Sequence, residues 1–183
     1  MIKLFFLKEK FGLISAFQAK AVDIIKQVVG KIYITPSCLK ELYRHGWQKE
    51  TDAEIKSGFI EVCSLTEEEK ELTKAIAEEI ALKSQNKEIE HHRGEAEALM
   101  LANRANFKDY SVLLDERAAR MVAKERNQKL SGFAGLLIQA TEKRIITPEQ
   151  AKQFLEICQQ QGTRYTRGFI NSVYEMFKEV YNL

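Results

Sequence analysis

Long apolar runs are absent from this sequence. The compact run near its start, Leu4-Phe5-Phe6-Leu7, is broken at once by Lys8, Glu9 and Lys10. A membrane-spanning helix needs about 20 apolar residues and a signal-peptide core about 7–15, so neither is predicted. Cysteine is scarce: Cys38, Cys63 and Cys158 lie far apart with no CxxC spacing. An odd count without a framework argues against a disulfide scaffold and reads as reduced thiols, small core residues of a cytoplasmic protein. Neither sign of charge dominates. With 28 Lys and Arg against 26 Asp and Glu the net charge is +2, too mild to demand a nucleic-acid partner and no obstacle to one. The familiar catalytic signatures are missing too. There is no P-loop, no GxGxxG after a strand, no GxSxG and no HExxH, so nucleophilic triads have no support. His91 and His92 are adjacent, so their side chains diverge, and no cysteine lies near to complete a metal pair. Repeats and low-complexity segments are absent.

What is present is an ordinary folding composition, 45% hydrophobic and 30% charged over 183 residues, enough to bury a core without staples. Apolar, β-rich runs predict strands over Ile2–Leu7, Lys31–Thr35, Gly58–Cys63, Tyr110–Leu114 and Leu130–Gly132. Helical spacing predicts helices over Leu13–Phe17, Val22–Val29, Pro36–Tyr43, Gly94–Ala105, Glu116–Arg126, Phe133–Thr141 and Asn171–Tyr181. Thr66 and Glu69 form a capping box that opens another helix, with Leu72, Ile76, Ile80 and Leu82 as its apolar positions. Thr147-Pro148-Glu149-Gln150 opens one more, and residues 84–92 read as a loop. Strands alternating with helices predict an α/β fold: three layers, α/β/α, around a central, mainly parallel sheet of four to five strands, plus C-terminal helices. One domain is expected over 1–183, with the α/β core in 1–140 and a helical extension in 141–183.

In such folds ligands bind beyond the carboxyl ends of the strands, which draws attention to Lys8 and Glu9 after the first strand and to Asp115 and Glu116 after the fourth. Asp115 reads either as a metal ligand at a strand tip or as the N-cap of the helix that follows. Glu116 reads as a first-turn residue favoured by the helix dipole. Glu95 shares a helix face with Ala98, Leu99 and Ala102, small or apolar residues that let the helix sit close to the sheet. Glu97 lies about 200° round from Glu95 and is expected to point elsewhere, to Arg93 or Arg104. Glu41 sits between Leu39 and Leu42 on the flank of the helix after the second strand. Arg117, Arg120, Lys124 and Arg126 form a basic flank, either solvated or in contact with phosphates.

The order of these pieces resembles the PIN-domain nuclease family, closest to a prokaryotic subgroup linked to toxin–antitoxin pairs (VapC-like). Four passages carry the resemblance: Gly30-Lys31-Ile32-Tyr33-Ile34-Thr35-Pro36 through Glu41-Leu42, Gly58-Phe59-Ile60-Glu61-Val62, Gly94-Glu95-Ala96-Glu97-Ala98-Leu99, and Leu113-Leu114-Asp115-Glu116-Arg117-Ala118-Ala119. It implies a ribonuclease in which Glu9, Glu41, Glu95 and Asp115 hold Mg²⁺ or Mn²⁺, with Glu116 or Glu97 accessory. It also implies RNA as substrate, with Arg117, Arg120 and Lys124 as candidate contacts, and a cognate antitoxin as partner. Two departures fall at the implied site. Glu9 and Phe11 stand where the family has Asp followed by a small hydroxyl residue. Gly132-Phe133 stands for its Gly-Thr. These changes also fit a degenerate PIN domain that binds nucleic acid or protein without cutting. A third reading is an interaction module, a homodimer or antitoxin-bound protein. It would use the stripe Phe169, Val173, Met176, Phe177 and Val180, for which core packing is the alternative.

Overall fold

The structure is a computed structural model; it describes residues 12–114 and 116–182, and residues 2–6 as a backbone strand. Five strands pair in parallel: β1 (Ile2–Phe6), β2 (Val29–Ile34), β3 (Ile60–Val62), β4 (Ser111–Leu113) and β5 (Lys129–Ser131), in the order β3-β2-β1-β4-β5. Parallel neighbours require crossovers, and these are helical. The helices are α1 (Leu13–Gln18), α2 (Val22–Val28), α3 (Pro36–Arg44), α4 (Gln48–Lys56), α5 (Glu67–Lys83), α6 (Arg93–Ala102), α7 (Arg117–Glu125), α8 (Phe133–Glu142), α9 (Pro148–Gln160) and α10 (Arg167–Asn182). The chain is therefore α/β, as its alternating pattern predicts.

Period-two alternation divides the core. Leu113 joins Ile32, Ile34, Phe133, Leu137 and Phe177 in one buried cluster, while its neighbours Val112 and Leu114 join Ile76, Ile80, Leu99 and Val122 in another. Strand order reverses between β1 and β4, so the crevice beyond their carboxyl ends is the natural ligand position.

Several elements differ from expectation. Helix α4 went unanticipated because Gln48–Lys56 is almost wholly polar; it buries Thr51 and stops at Gly58, whose φ of +80° suits glycine. The α5 capping box forms as predicted, but Leu72 and Leu82 face solvent at 55% and 77% exposure. The buried stripe instead runs Thr73, Ile76, Ala77, Ile80, Ala81; at about 100° per residue Leu72 lies roughly 110° from the middle of that stripe and Leu82 on the opposite side. Residues 84–92 are not all loop: Ile89–His92 forms a 3₁₀ turn leading into α6. Helix α6 stops at Ala102, and Ala105–Phe107 is a separate turn. Helix α10 starts at Arg167, ahead of Asn171. Its apolar stripe is split: Val173 and Phe177 are buried, Val180 is half-buried, and Phe169 and Met176 are exposed. Among the described residues no helix is long and apolar enough to cross a membrane.

Candidate functional site

The site begins where β2 ends. Thr35 caps α3 by accepting a hydrogen bond from the Cys38 amide (3.3 Å), and Pro36 fits the first turn because it needs no amide donor. This tight strand-to-helix junction sets Ser37, Cys38 and Glu41 on the first two turns of α3, above the carboxyl end of the sheet. Against α3 lies α6, whose residues from Gly94 to Leu99 are all buried. Glycine and alanines let α6 approach closely, so even its charged positions are enclosed.

Three carboxylates converge here. Glu95 is fully buried. Glu97 is also buried; its Oε1 accepts from Ser37 Oγ on α3 at 2.7 Å and from Arg93 Nε at 3.2 Å. Glu97 Oε2 is buried with no hydrogen-bond partner among the described residues. Glu41 is held at both oxygens, with His45 Nε2 3.0 Å from Oε1 and Arg44 donating to Oε2 at 3.3 Å. The Cys38 thiol reports their common location. Burial pushes its pKa up to about 12, and the negative fields of Glu41, Glu95 and Glu97 add to the rise. Groups from two separate helices thus act on one buried atom.

The expectation that Glu97 points elsewhere than Glu95 holds. Rotation does separate them on α6, but neighbouring structure covers both sides, and Glu97 reaches across to α3. Its predicted pairing with Arg93 is present; Arg104 instead binds Glu69 and the Ser64 carbonyl.

The remaining expected residues are placed as follows. Glu116 is not a first-turn residue but the N-cap of α7: its carboxylate accepts from the Ala119 amide at 2.6 Å and from Ser84 Oγ at 3.5 Å. A cap forms there because Glu116 is extended and its side chain folds onto the next turn. Arg120 donates to the carbonyls of Leu114 and Ser131, tying the ends of β4 and β5, so its guanidinium already has backbone partners. Arg117 and Lys124 are exposed. Phe133 is fully buried in the main core. Glu9, Phe11 and Asp115 lie outside the described residues. Sequence reasoning missed Ser37, Arg44 and His45. The four-residue spacings Glu41–His45 and Arg93–Glu97 were visible signals, but such pairs are common on any helix.

Among the described residues no three His, Cys, Asp or Glu side chains are arranged as a ready-made metal cage. A family model for the PIN domain matches residues 12–179. The chain belongs to the PIN-domain family. No curated protein and no solved structure matches it. PIN domains are nuclease-type domains that generally use divalent metal, and the resemblance seen in the four sequence passages is therefore one of kinship.

Proposed function

We propose that this PIN domain is a metal-dependent endoribonuclease, acting as the toxin of a toxin–antitoxin pair in the cytoplasm, with a cognate antitoxin protein as its partner. Glu9, Glu41, Glu95 and Asp115, with Glu97 accessory, would hold Mg²⁺ or Mn²⁺. The observation that carries this reading is the packing of α3 on α6, which joins Ser37 to Glu97 at 2.7 Å and buries Glu95 and Glu97 near Cys38, whose thiol feels the charges of Glu41, Glu95 and Glu97. The donor chemistry fits the ion, though the described residues form no ready-made cage: these are hard carboxylate oxygens, and Glu97 Oε2 is buried without a partner among the described residues. A bound divalent cation supplies a Lewis acid and an activated water for phosphodiester hydrolysis. The chain itself orients the donors. Ser37 fixes Glu97 from α3, while Arg93 on Glu97 and Arg44 and His45 on Glu41 hold the acids before a cation binds.

One observation favours a second reading, a degenerate PIN domain that binds without cutting: both Glu41 oxygens already have cationic or imidazole partners. A cleavage assay on labelled single-stranded RNA with Mn²⁺ separates the two. The nuclease reading expects Glu95→Gln to lose more than about a hundredfold in rate, since even residues that only support metal ligands are worth 10–100-fold. Equal cleavage by variant and wild type contradicts it, and an inert wild type selects the second reading.

A further inference from the structure

Any site rich in carboxylates repels the polyanion it is meant to cut, and the structure shows two guanidinium cations and an imidazole stationed on its edge. Arg44 and His45 touch Glu41 from the C-terminal end of α3, and Arg93 touches Glu97 from the start of α6. Each has solvent on its other side: the side chains are 74%, 29% and 54% exposed. Arg93 also stands 3.7 Å from Glu90, a weak exposed pairing. By contrast Arg120, the central member of the basic flank on α7, is engaged with two carbonyls.

We propose that Arg44, His45 and Arg93 form the phosphate-binding rim of the site, taking the nucleic-acid backbone from two sides of the acid cluster. This rests on the nuclease reading for its substrate class. The three side chains hydrogen-bond Glu41 and Glu97. With a divalent cation held by these acids instead, Arg44, His45 and Arg93 would be free to meet the incoming phosphates. The rim thereby offsets the repulsion that the acids impose on RNA, and its members directly contact Glu41 and Glu97.

The test is a fluorescence-anisotropy titration of full-length protein with a short labelled single-stranded RNA, with Ca²⁺ present, over a range of salt. Arg44→Ala/His45→Gln and Arg93→Gln are compared with Arg117→Ala/Lys124→Ala. Each lost phosphate contact should weaken binding roughly fourfold near physiological salt and lower the log–log salt slope by about 0.7. The same rim variants should show a Mn²⁺-induced rise in melting temperature at equal or lower Mn²⁺ than wild type, because a competitor for the acids is gone. A merely structural role would weaken both. Wild-type RNA affinity and salt slope in the rim variants would overturn the proposal, as would a wild type that binds no RNA. Loss of the Mn²⁺ response in wild type, with RNA affinity still lowered in the rim variants, would reject the nuclease reading and leave the rim standing.

Discussion

Ser37 is the smallest side chain in the acid cluster and the most direct probe of how it is held. Its hydroxyl donates to a buried carboxylate across the α3–α6 junction, and hydrogen bonds to charged groups contribute about 1.5–3 kcal/mol. Ser37→Ala should lower stability by about 2 kcal/mol in urea unfolding, because it leaves Glu97 with Arg93 as its remaining donor. A change inside about 0.5 kcal/mol would mean that water satisfies Glu97 equally well. At this scale the sequence was partly legible. Glu41 and Glu95 were named from the order of the motifs, and the structure brings both to Cys38. Glu97 pairs with Arg93 as expected, but its reach to Ser37 on α3 went unseen, because helix rotation says where a side chain starts and not how far a long one reaches. Ser37, Arg44 and His45 carried no distinctive pattern at all. Glu9 and Asp115 lie outside the described residues, so their place rests on kinship.

Helix α5 shows what an element reveals and hides. Its capping box was legible because the Thr66 and Glu69 side chains answer each other's amides at a fixed spacing. Its buried face was misjudged because Leu72 and Leu82 are apolar yet exposed, while Thr73, Ala77 and Ala81 complete the stripe. Glu69 does more than cap. The Arg104 hydrogen bonds, first, and those from Thr66 hold its carboxyl at about 2 rather than 4.5, against the opposing effect of burial. A carboxyl lowered in the folded state stabilises fully above its unfolded value and loses that contribution as pH falls towards the folded one. Glu69→Gln keeps the capping geometry and removes the charge. It should cost about 1–2 kcal/mol at neutral pH, after allowance for solvent screening, and the difference from wild type should shrink as pH falls from 4.5 towards 2. Denaturation curves across that range check it; a difference independent of pH would assign the effect to packing. Helix α4, with almost no apolar residue, was invisible to periodicity, which shows that tertiary cover can hold a helix whose own pattern is silent.

Across the whole molecule, one sheet with buried clusters on its two faces explains how acids distant in sequence meet. Strand order reverses between β1 and β4, and α3 and α6 lean together above the carboxyl ends. The C-terminal helices share that economy: Leu155 and Phe177 lie in the same cluster as Ile32 and Phe133, so part of the stripe on α10 is interior, while Phe169 and Met176 stay exposed. The alternating strands and helices made this α/β plan readable, whereas the convergence of charged side chains depends on helix packing that no local pattern encodes. The account's central claim is that separate segments build one cation site, and thermal unfolding with added Mn²⁺ tests it most directly. At a hundredfold excess over Kd the wild type should gain about 2.7 kcal/mol, a rise of roughly 5–10 °C for a domain of this size. Glu41→Gln and Asp115→Asn should each abolish the rise; no rise in the wild type, or an undiminished rise in both variants, would contradict the claim.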